Sequence, residues 1–211
     1  MTPQTVNSDY SSNLNEIVLP AAQLEAPYFD PAADPAVNYG GIGAVIGHEL
    51  THAFDDDGRK YDAAGALSNW WTDADAREFN ARAAELSRQY SSFQPLPGVR
   101  VNGDLTIGEN IADLGGVLVA IDAYHDSLAG RPAPVLDGFT GNQRLFLSYA
   151  QTFRAKTTED ATRQQLVSDP HPPEQYRVNG IVRNIDAWYQ AFNVQASDKL
   201  YLTNENRVQI W

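Results

Sequence analysis

His48-Glu49-Leu50-Thr51-His52 constrains this chain more than any other stretch. Two histidines four positions apart lie about 40° from one another around a helix, so both imidazoles can reach a single ion. Glu49 falls about 100° from His48, at the edge of that face. There a carboxylate can take a proton from metal-bound water without itself binding the metal. The pattern demands a helix that packs on one side and holds chemistry on the other. Ile46, Leu50 and Ala53 point away from the histidines and are the expected core-facing side. Gly40, Gly41, Gly43 and Gly47 lead into this helix, expected over 42–54. Glycine inside a helix costs about 1 kcal/mol against alanine, so four of them imply close packing or close approach by another group.

Neutral imidazoles and a carboxylate suit Zn²⁺, and a catalytic zinc site takes three protein ligands plus an open position. No histidine lies between His52 and His125, so a third histidine shortly after the motif is excluded. Glu109 is the better candidate. Glu109 and Asp113 are spaced i, i+4 on one helical face, which lets Glu109 bind while Asp113 accepts a hydrogen bond from a ligand histidine and orients it. The competing reading makes Thr106 and Glu109 a capping box at a helix start. Asp56, four positions beyond His52, is a candidate to orient that second histidine, against the plainer reading of a solvated turn. Asp55-Asp56-Asp57-Gly58 is not a calcium loop, because Ala53 stands where its first ligand belongs. The glycines at 40–43 lack the Gly-Lys-Ser/Thr of a phosphate loop.

The rest of the 211 residues narrows the class. Acidic groups outnumber basic ones 27 to 15, which argues against nucleic acid or an anionic membrane as partner. Cysteine is absent, excluding disulfides, thiolate ligands and thiol nucleophiles. There is no apolar run of about 18 residues to cross a membrane. The polar stretch 1–12 has no signal-peptide pattern. Helical spacing of Phe79, Ala83 and Leu86 predicts a helix over 73–90, capped by Thr72 or Asp73. Further helices are expected over 107 to about 128, over 142–153 and over 185–192. Residues 15–19 are β-prone, and Pro27, Pro31 and Pro35 exclude a long helix in the stretch that follows. His125 reads as a solvated helix residue. The expectation is one mostly helical unit.

Two longer stretches carry a family resemblance. Asn38-Tyr39-Gly40-Gly41-Ile42-Gly43 through Ala53-Phe54-Asp55-Asp56, and Glu109-Asn110-Ile111-Ala112-Asp113-Leu114-Gly115-Gly116, are similar to the two signatures of the neprilysin and endothelin-converting-enzyme family of zinc metallopeptidases, the gluzincins. Asn15-Glu16-Ile17-Val18 with Pro20-Ala21, Trp70-Trp71 and the terminal Arg207 to Trp211 resemble it too. The resemblance implies an α+β, mostly helical fold: a thermolysin-like zinc-helix lobe with a short β-edge segment near the N-terminus. It implies one Zn²⁺ per chain held by His48, His52 and Glu109, with Glu49 as general base and Asp113 as the orienting aspartate. It also implies that Asn7 binds substrate backbone, that His171 stabilises an oxyanion and that Arg177 holds a substrate carbonyl. Ser8 and Asp9 stand where the family has alanine and tyrosine in that substrate-binding edge.

The implied activity is an endopeptidase cutting on the N-terminal side of hydrophobic residues. Family members are considerably longer. Residues 1–211 are therefore expected to be a single catalytic domain lacking the early half of the catalytic region and the helical lobe that closes over the site. An uncovered surface of that kind leaves two partners open besides the peptide or protein substrate: a second copy of this chain, or a complementary N-terminal chain. The alternative reading on the same ground is a zinc- or peptide-binding remnant that needs such a chain for activity. The resemblance also implies a periplasmic or secreted setting.

Overall fold

The β-prone stretch near the N-terminus folds back on residues just before it. A computed structural model describes residues 1–211, and in it β1 (Asp9–Ser11) pairs antiparallel with β2 (Glu16–Val18), Tyr10 facing Ile17. The sheet has these two strands only, so the outer edge of β1 has no strand beside it. After the prolines, the short helix α1 (Pro35–Asn38) carries Pro35 in its first turn, where a missing N–H is harmless. A π-helical turn, Tyr39–Gly43, leads into α2 (Ala44–Thr51), which tightens into a 3₁₀ turn at His52–Phe54. The single helix expected over 42–54 is thus three consecutive segments of different pitch.

Six helices follow. α3 (Asp73–Ser91) starts at Thr72, whose hydroxyl accepts the Asp75 N–H at 3.2 Å. α4 (Ile107–Ser127) is the longest. α5 (Gly141–Thr152) opens with a reciprocal capping box between Thr140 and Gln143. α6 (Glu159–Ser168), α7 (Glu174–Val182) and α8 (Asp186–Phe192) complete the chain. α6 and α7 have no counterpart among the expected helices. α6 buries only Thr162, so no apolar stripe marks it, and α7 is short, follows two prolines and contains Gly180.

The core gathers around α4. Ile111, Leu114 and Val117 pack with Leu86 and Tyr90 of α3, Leu145 of α5 and Ile181 of α7, all essentially removed from solvent. Each such side chain contributes about 1.5–3 kcal/mol. α2 meets α4 more intimately. A Cβ on Gly47 would lie 2.6 Å from the Gly116 carbonyl oxygen, and one on Gly116 would lie 2.6 Å from the His48 nitrogen. The two backbones touch, which explains the glycines that the sequence places there.

That contact corrects one expectation. The buried face of α2 is Ala44, Gly47 and Thr51, whereas Leu50 is 48% exposed and Ile46 and Ala53 are half-buried. The packing side of α2 is made of small residues because the neighbouring helix comes to backbone distance.

Candidate active site

α2 brings His48 to the wall of a cavity of about 320 Å³, and the 3₁₀ turn after it brings His52. Their Nε2 atoms are 3.0 Å apart. Glu109, in the first turn of α4, reaches in from across the helix crossing. Its Oε2 lies 3.4 Å from His48 Nε2 and its Oε1 3.7 Å from His52 Nε2. The ligating atoms of these three residues all fall within 4.8 Å of one another.

Each imidazole is held from behind by a carboxylate. His48 Nδ1–H donates to Asp113 Oδ1 at 2.8 Å, and His52 Nδ1–H donates to Asp55 Oδ2 at 2.7 Å. With both protons on Nδ1, two Nε2 lone pairs face each other at 3.0 Å, which is repulsive unless positive charge sits between them. Glu109 Oε2 is buried without a hydrogen bond, with His171 Nε2 3.1 Å away. Two imidazole nitrogens and an unsatisfied carboxylate oxygen are a donor set that fits zinc.

Without a metal, a proton is the alternative occupant. Burial opposes charge on His48, but the carboxylates of Asp113 and Glu109 beside it outweigh burial and push the imidazole up to about 9, with Arg177 resisting. Burial would likewise raise Glu109; the His171 and His48 rings instead hold it well below the usual carboxylate range.

Asp55, not Asp56, orients His52. An i, i+4 partner follows from continuing the α-helix, but the chain tightens to 3₁₀ at His52, where i and i+3 eclipse. Asp55 Oδ1 is fixed in turn by the N–H groups of Asp57 at 2.9 Å and Gly58 at 2.6 Å. The turn-forming Asp-x-Asp-Gly sequence was the available signal for it.

The capping box of Thr106 and Glu109 does not form. The Thr106 hydroxyl donates to the Asn102 carbonyl and accepts from Asn110 Nδ2, leaving Glu109 free to turn toward the histidines.

Arg177, on α7, makes a two-pronged pair with Asp113. Nε donates to Oδ2 at 2.7 Å and Nη2 to Oδ1 at 2.6 Å, while Nη1 has no partner within the chain. Its guanidinium also lies 4.7 Å over the Phe153 ring. Burial would raise Asp113, but Arg177 and then His48 hold it low. His171 sits on the 169–173 loop with Nδ1 2.9 Å from Asp169, 42% exposed. Contact with Glu109 raises its pKa against the effect of burial, and Asp169 assists. Glu49 is 5% exposed, lines the cavity and has no hydrogen-bond or ion-pair partner in the chain. Asn7, exposed, and Ser8, buried, line it beside the free edge of β1. All nine candidate residues therefore border one cavity. His125 stands apart, bonded to Asn142 on the surface.

Residues 7–208 match the family model described as Peptidase family M13. The chain belongs to that family. It is 38% identical over its whole length to Neprilysin-3 of Drosophila melanogaster, covering 27% of that protein. It is 40% identical over its whole length to Endothelin-converting enzyme 1 of Bos taurus, covering 28% of it. Among solved structures it superposes on the zinc metalloprotease ZMP1 of Mycobacterium tuberculosis, determined in complex with an inhibitor. There the TM-score is 0.99 at 54% identity, over the whole of this chain and 33% of that one. The chain thus spans under a third of the length of the curated M13 relatives it matches. The mostly helical fold expected from the sequence is the fold of these M13 peptidases, and membership of the family implies zinc.

Proposed function

We propose that this chain is the zinc-binding catalytic portion of an endopeptidase. The observation that carries the reading is the convergence of His48, His52 and Glu109, with both histidines locked by Asp113 and Asp55 so that Nε2 faces inward. Those three residues would hold one Zn²⁺. When bound, it supplies Lewis acidity and a water whose pKa falls toward about 7.

The remaining work belongs to the chain's own side chains. Glu49 takes the proton of the attacking water on its unpartnered carboxylate and returns it to the leaving amine. His171 turns Nε2–H from Glu109 to the oxygen that gains charge, a role whose loss in other enzymes costs about 10²–10³ in rate. Arg177 keeps Asp113 in place with Nε and Nη2 and offers Nη1 to a substrate carbonyl. Asn7, Ser8 and the free edge of β1 receive extended peptide backbone, as an unpaired strand edge does. The hydrophobic residue that the resemblance implies after the cut would meet the apolar part of the wall, Val45 and Tyr28. A catalytic region outside the cytoplasm accords with the resemblance. No helix of the chain is long and apolar enough to cross a membrane.

The test is to incubate the zinc-loaded protein and its Glu49→Gln variant with a mixture of unstructured peptides and read the products by mass spectrometry. Cuts made by the parent and reduced at least about a hundredfold in the variant are expected. Equal cutting by both would sink the mechanism.

A further inference from the structure

Two aromatic side chains one turn apart, Tyr149 on α5 and Phe153 at its end, reach toward Arg177, and the chemistry above uses neither. Tyr149 is 2% exposed, and its hydroxyl lies 2.8 Å from the backbone carbonyl oxygen of Arg177. A carbonyl can only accept, so the phenol donates. Its ring meets that of Phe153 edge to face at 5.2 Å, and Phe153 in turn lies against the Arg177 guanidinium. Arg177 is therefore held at both ends. Asp113 takes Nε and Nη2, and Tyr149 takes the main chain from which the side chain springs. The helix that carries Arg177 needs such help: α7 has nine residues, begins after Pro172 and Pro173, and has no side-chain cap at its start. Helices this short are marginal by themselves, so tertiary contacts set where they lie. α5 is a fixed base for one, because its Leu145 carbonyl presses on Gly40 so closely that a Cβ there would overlap it.

We infer that Tyr149 is a positioning residue for peptide cleavage: by tying the Arg177 carbonyl to α5, it fixes where the free Nη1 points. The inference rests on the peptidase reading, in which Nη1 holds a substrate carbonyl. Arginine is long and rotates freely along its stem, so a fork that grips only its tip leaves the rest of the residue room to shift. With the tip on Asp113 and the backbone on Tyr149, few rotamers connect the two anchors, and Nη1 is aimed at one place. Removing the hydroxyl frees the backbone end and leaves the fork. A displacement of about 1 Å in a group that positions substrate can cost up to about 10²-fold in rate. The neighbouring carbonyl, that of Tyr176, accepts from the Tyr90 hydroxyl at 3.1 Å. α7 therefore keeps one anchor when Tyr149 loses its oxygen, and the effect is a loosened site in a folded chain.

The experiment compares Tyr149→Phe with the parent, both zinc-loaded, on one unstructured peptide that the parent cuts. Phenylalanine keeps the ring against Phe153 and deletes one oxygen. kcat/KM should fall about five- to tenfold, chiefly through KM, because a carbonyl contact made both before and during the reaction is uniform binding. The same change is then made in Arg177→Lys, which keeps a cation beside Asp113 but has neither the fork nor Nη1. In that background Tyr149→Phe should alter kcat/KM by less than about twofold, since no Nη1 is left to aim. A merely structural loss would be equal in both backgrounds. Equal losses, or a Tyr149→Phe protein as active as the parent, would overturn the proposal and leave the peptidase reading standing. If the parent cuts nothing, the peptidase reading falls. In that case, or if Arg177→Lys cuts too slowly to measure, NMR decides whether Tyr149 holds Arg177. The Arg177 Nε–H, identified by its absence in Arg177→Lys, should exchange with solvent about tenfold faster in Tyr149→Phe. Equal exchange would show that the hydroxyl positions nothing.

Discussion

Asp113→Asn keeps the size of the side chain and removes its charge at the point where three of the site's residues meet. Asp113 is 2% exposed and accepts from His48 Nδ1 at 2.8 Å and from Arg177 Nε and Nη2 at 2.7 and 2.6 Å. Asparagine offers one acceptor oxygen where the carboxylate offers two, so at least one donor faces an amide N–H. The Arg177 guanidinium, 16% exposed, then keeps only the longer contact of Nη2 with Glu109 Oε2 at 3.7 Å, a loss of about 3–5 kcal/mol on the scale of a broken buried pair. For a chain of about 200 residues each kcal/mol moves the melting temperature by about 2–4 °C, giving a drop of about 6–20 °C. His48 also loses its orienting acceptor, so zinc affinity should fall about 10–100-fold. Calorimetric melting with and without chelator, and zinc competition against a fluorescent chelator, read the two effects separately.

Removing both charges separates pairing from shape. Arg177→Met alone should also destabilise, because it strands the buried Asp113. The double variant should fall short of the sum of the singles by about 2 kcal/mol or more, since the second change removes a charge the first left unpaired. Asp113 is held below its ordinary value, so its contribution is present above about pH 4 and is lost as the pH falls through the depressed native value. The gap between parent and variant should accordingly close in acid. An Asp113→Asn protein that melts within about 2 °C of the parent at neutral pH, with additive singles, would refute the claim that this pair anchors the site.

His48 is raised to about 9 in the metal-free chain, so a proton must leave before zinc binds. Apparent zinc affinity should rise about tenfold per pH unit between pH 6.5 and 8.5, with about one proton released, measured by calorimetric titration in buffers of different ionisation enthalpy. With the metal removed, the stability His48 contributes should be full below about pH 6.5 and disappear as the pH rises through about 9. Asp55→Ala should weaken zinc binding about 10–100-fold by freeing His52 and the turn at Asp57 and Gly58; wild-type affinity would restore Asp56 as the orienting residue. Gly116→Ala places a methyl group 2.6 Å from the His48 nitrogen and should cost about 1–3 kcal/mol in melting together with weaker zinc binding. Loss of stability with unchanged zinc affinity would show that the helix crossing does not set the ligand geometry.

The two halves of the candidate metal set are each legible in the sequence because each is local: i, i+4 spacing pairs His48 with His52 and Glu109 with Asp113, whereas the meeting of the halves depends on the crossing of α2 and α4. What is not legible depends on pitch or on long-range packing. Asp55 escapes because the switch to a 3₁₀ turn at His52 changes the partner from i+4 to i+3. The packing face of α2 escapes because Gly47 and Thr51 carry too little hydrocarbon to announce a core, and only the arrival of Gly115 and Gly116 makes that face the buried one. α7 shows no clear apolar period, yet it carries Arg177, and the pairing of Arg177 with Asp113 crosses 64 positions of sequence.

The same long-range contact gives the site its independence from surface that is left open. Leu50, Phe54, Trp70 and Trp211 are each about half exposed, and none of them lines the cavity that holds the site. The placement of His48 against Glu109 and Asp113 follows from α2 lying on α4 at backbone distance, and that distance is fixed by paired glycines. A methyl group between them would separate the helices by a fraction of an ångström, enough to matter where three ligating atoms must share one ion. Asp113 then couples α4 to α7 through Arg177, and the turn at Asp55 couples His52 to the residues that follow it. Both histidines of the candidate zinc set are thus fixed by partners drawn from residues 44–177. Zinc affinity should be a property of these elements, whereas peptide cleavage should depend in addition on the cavity walls and β1.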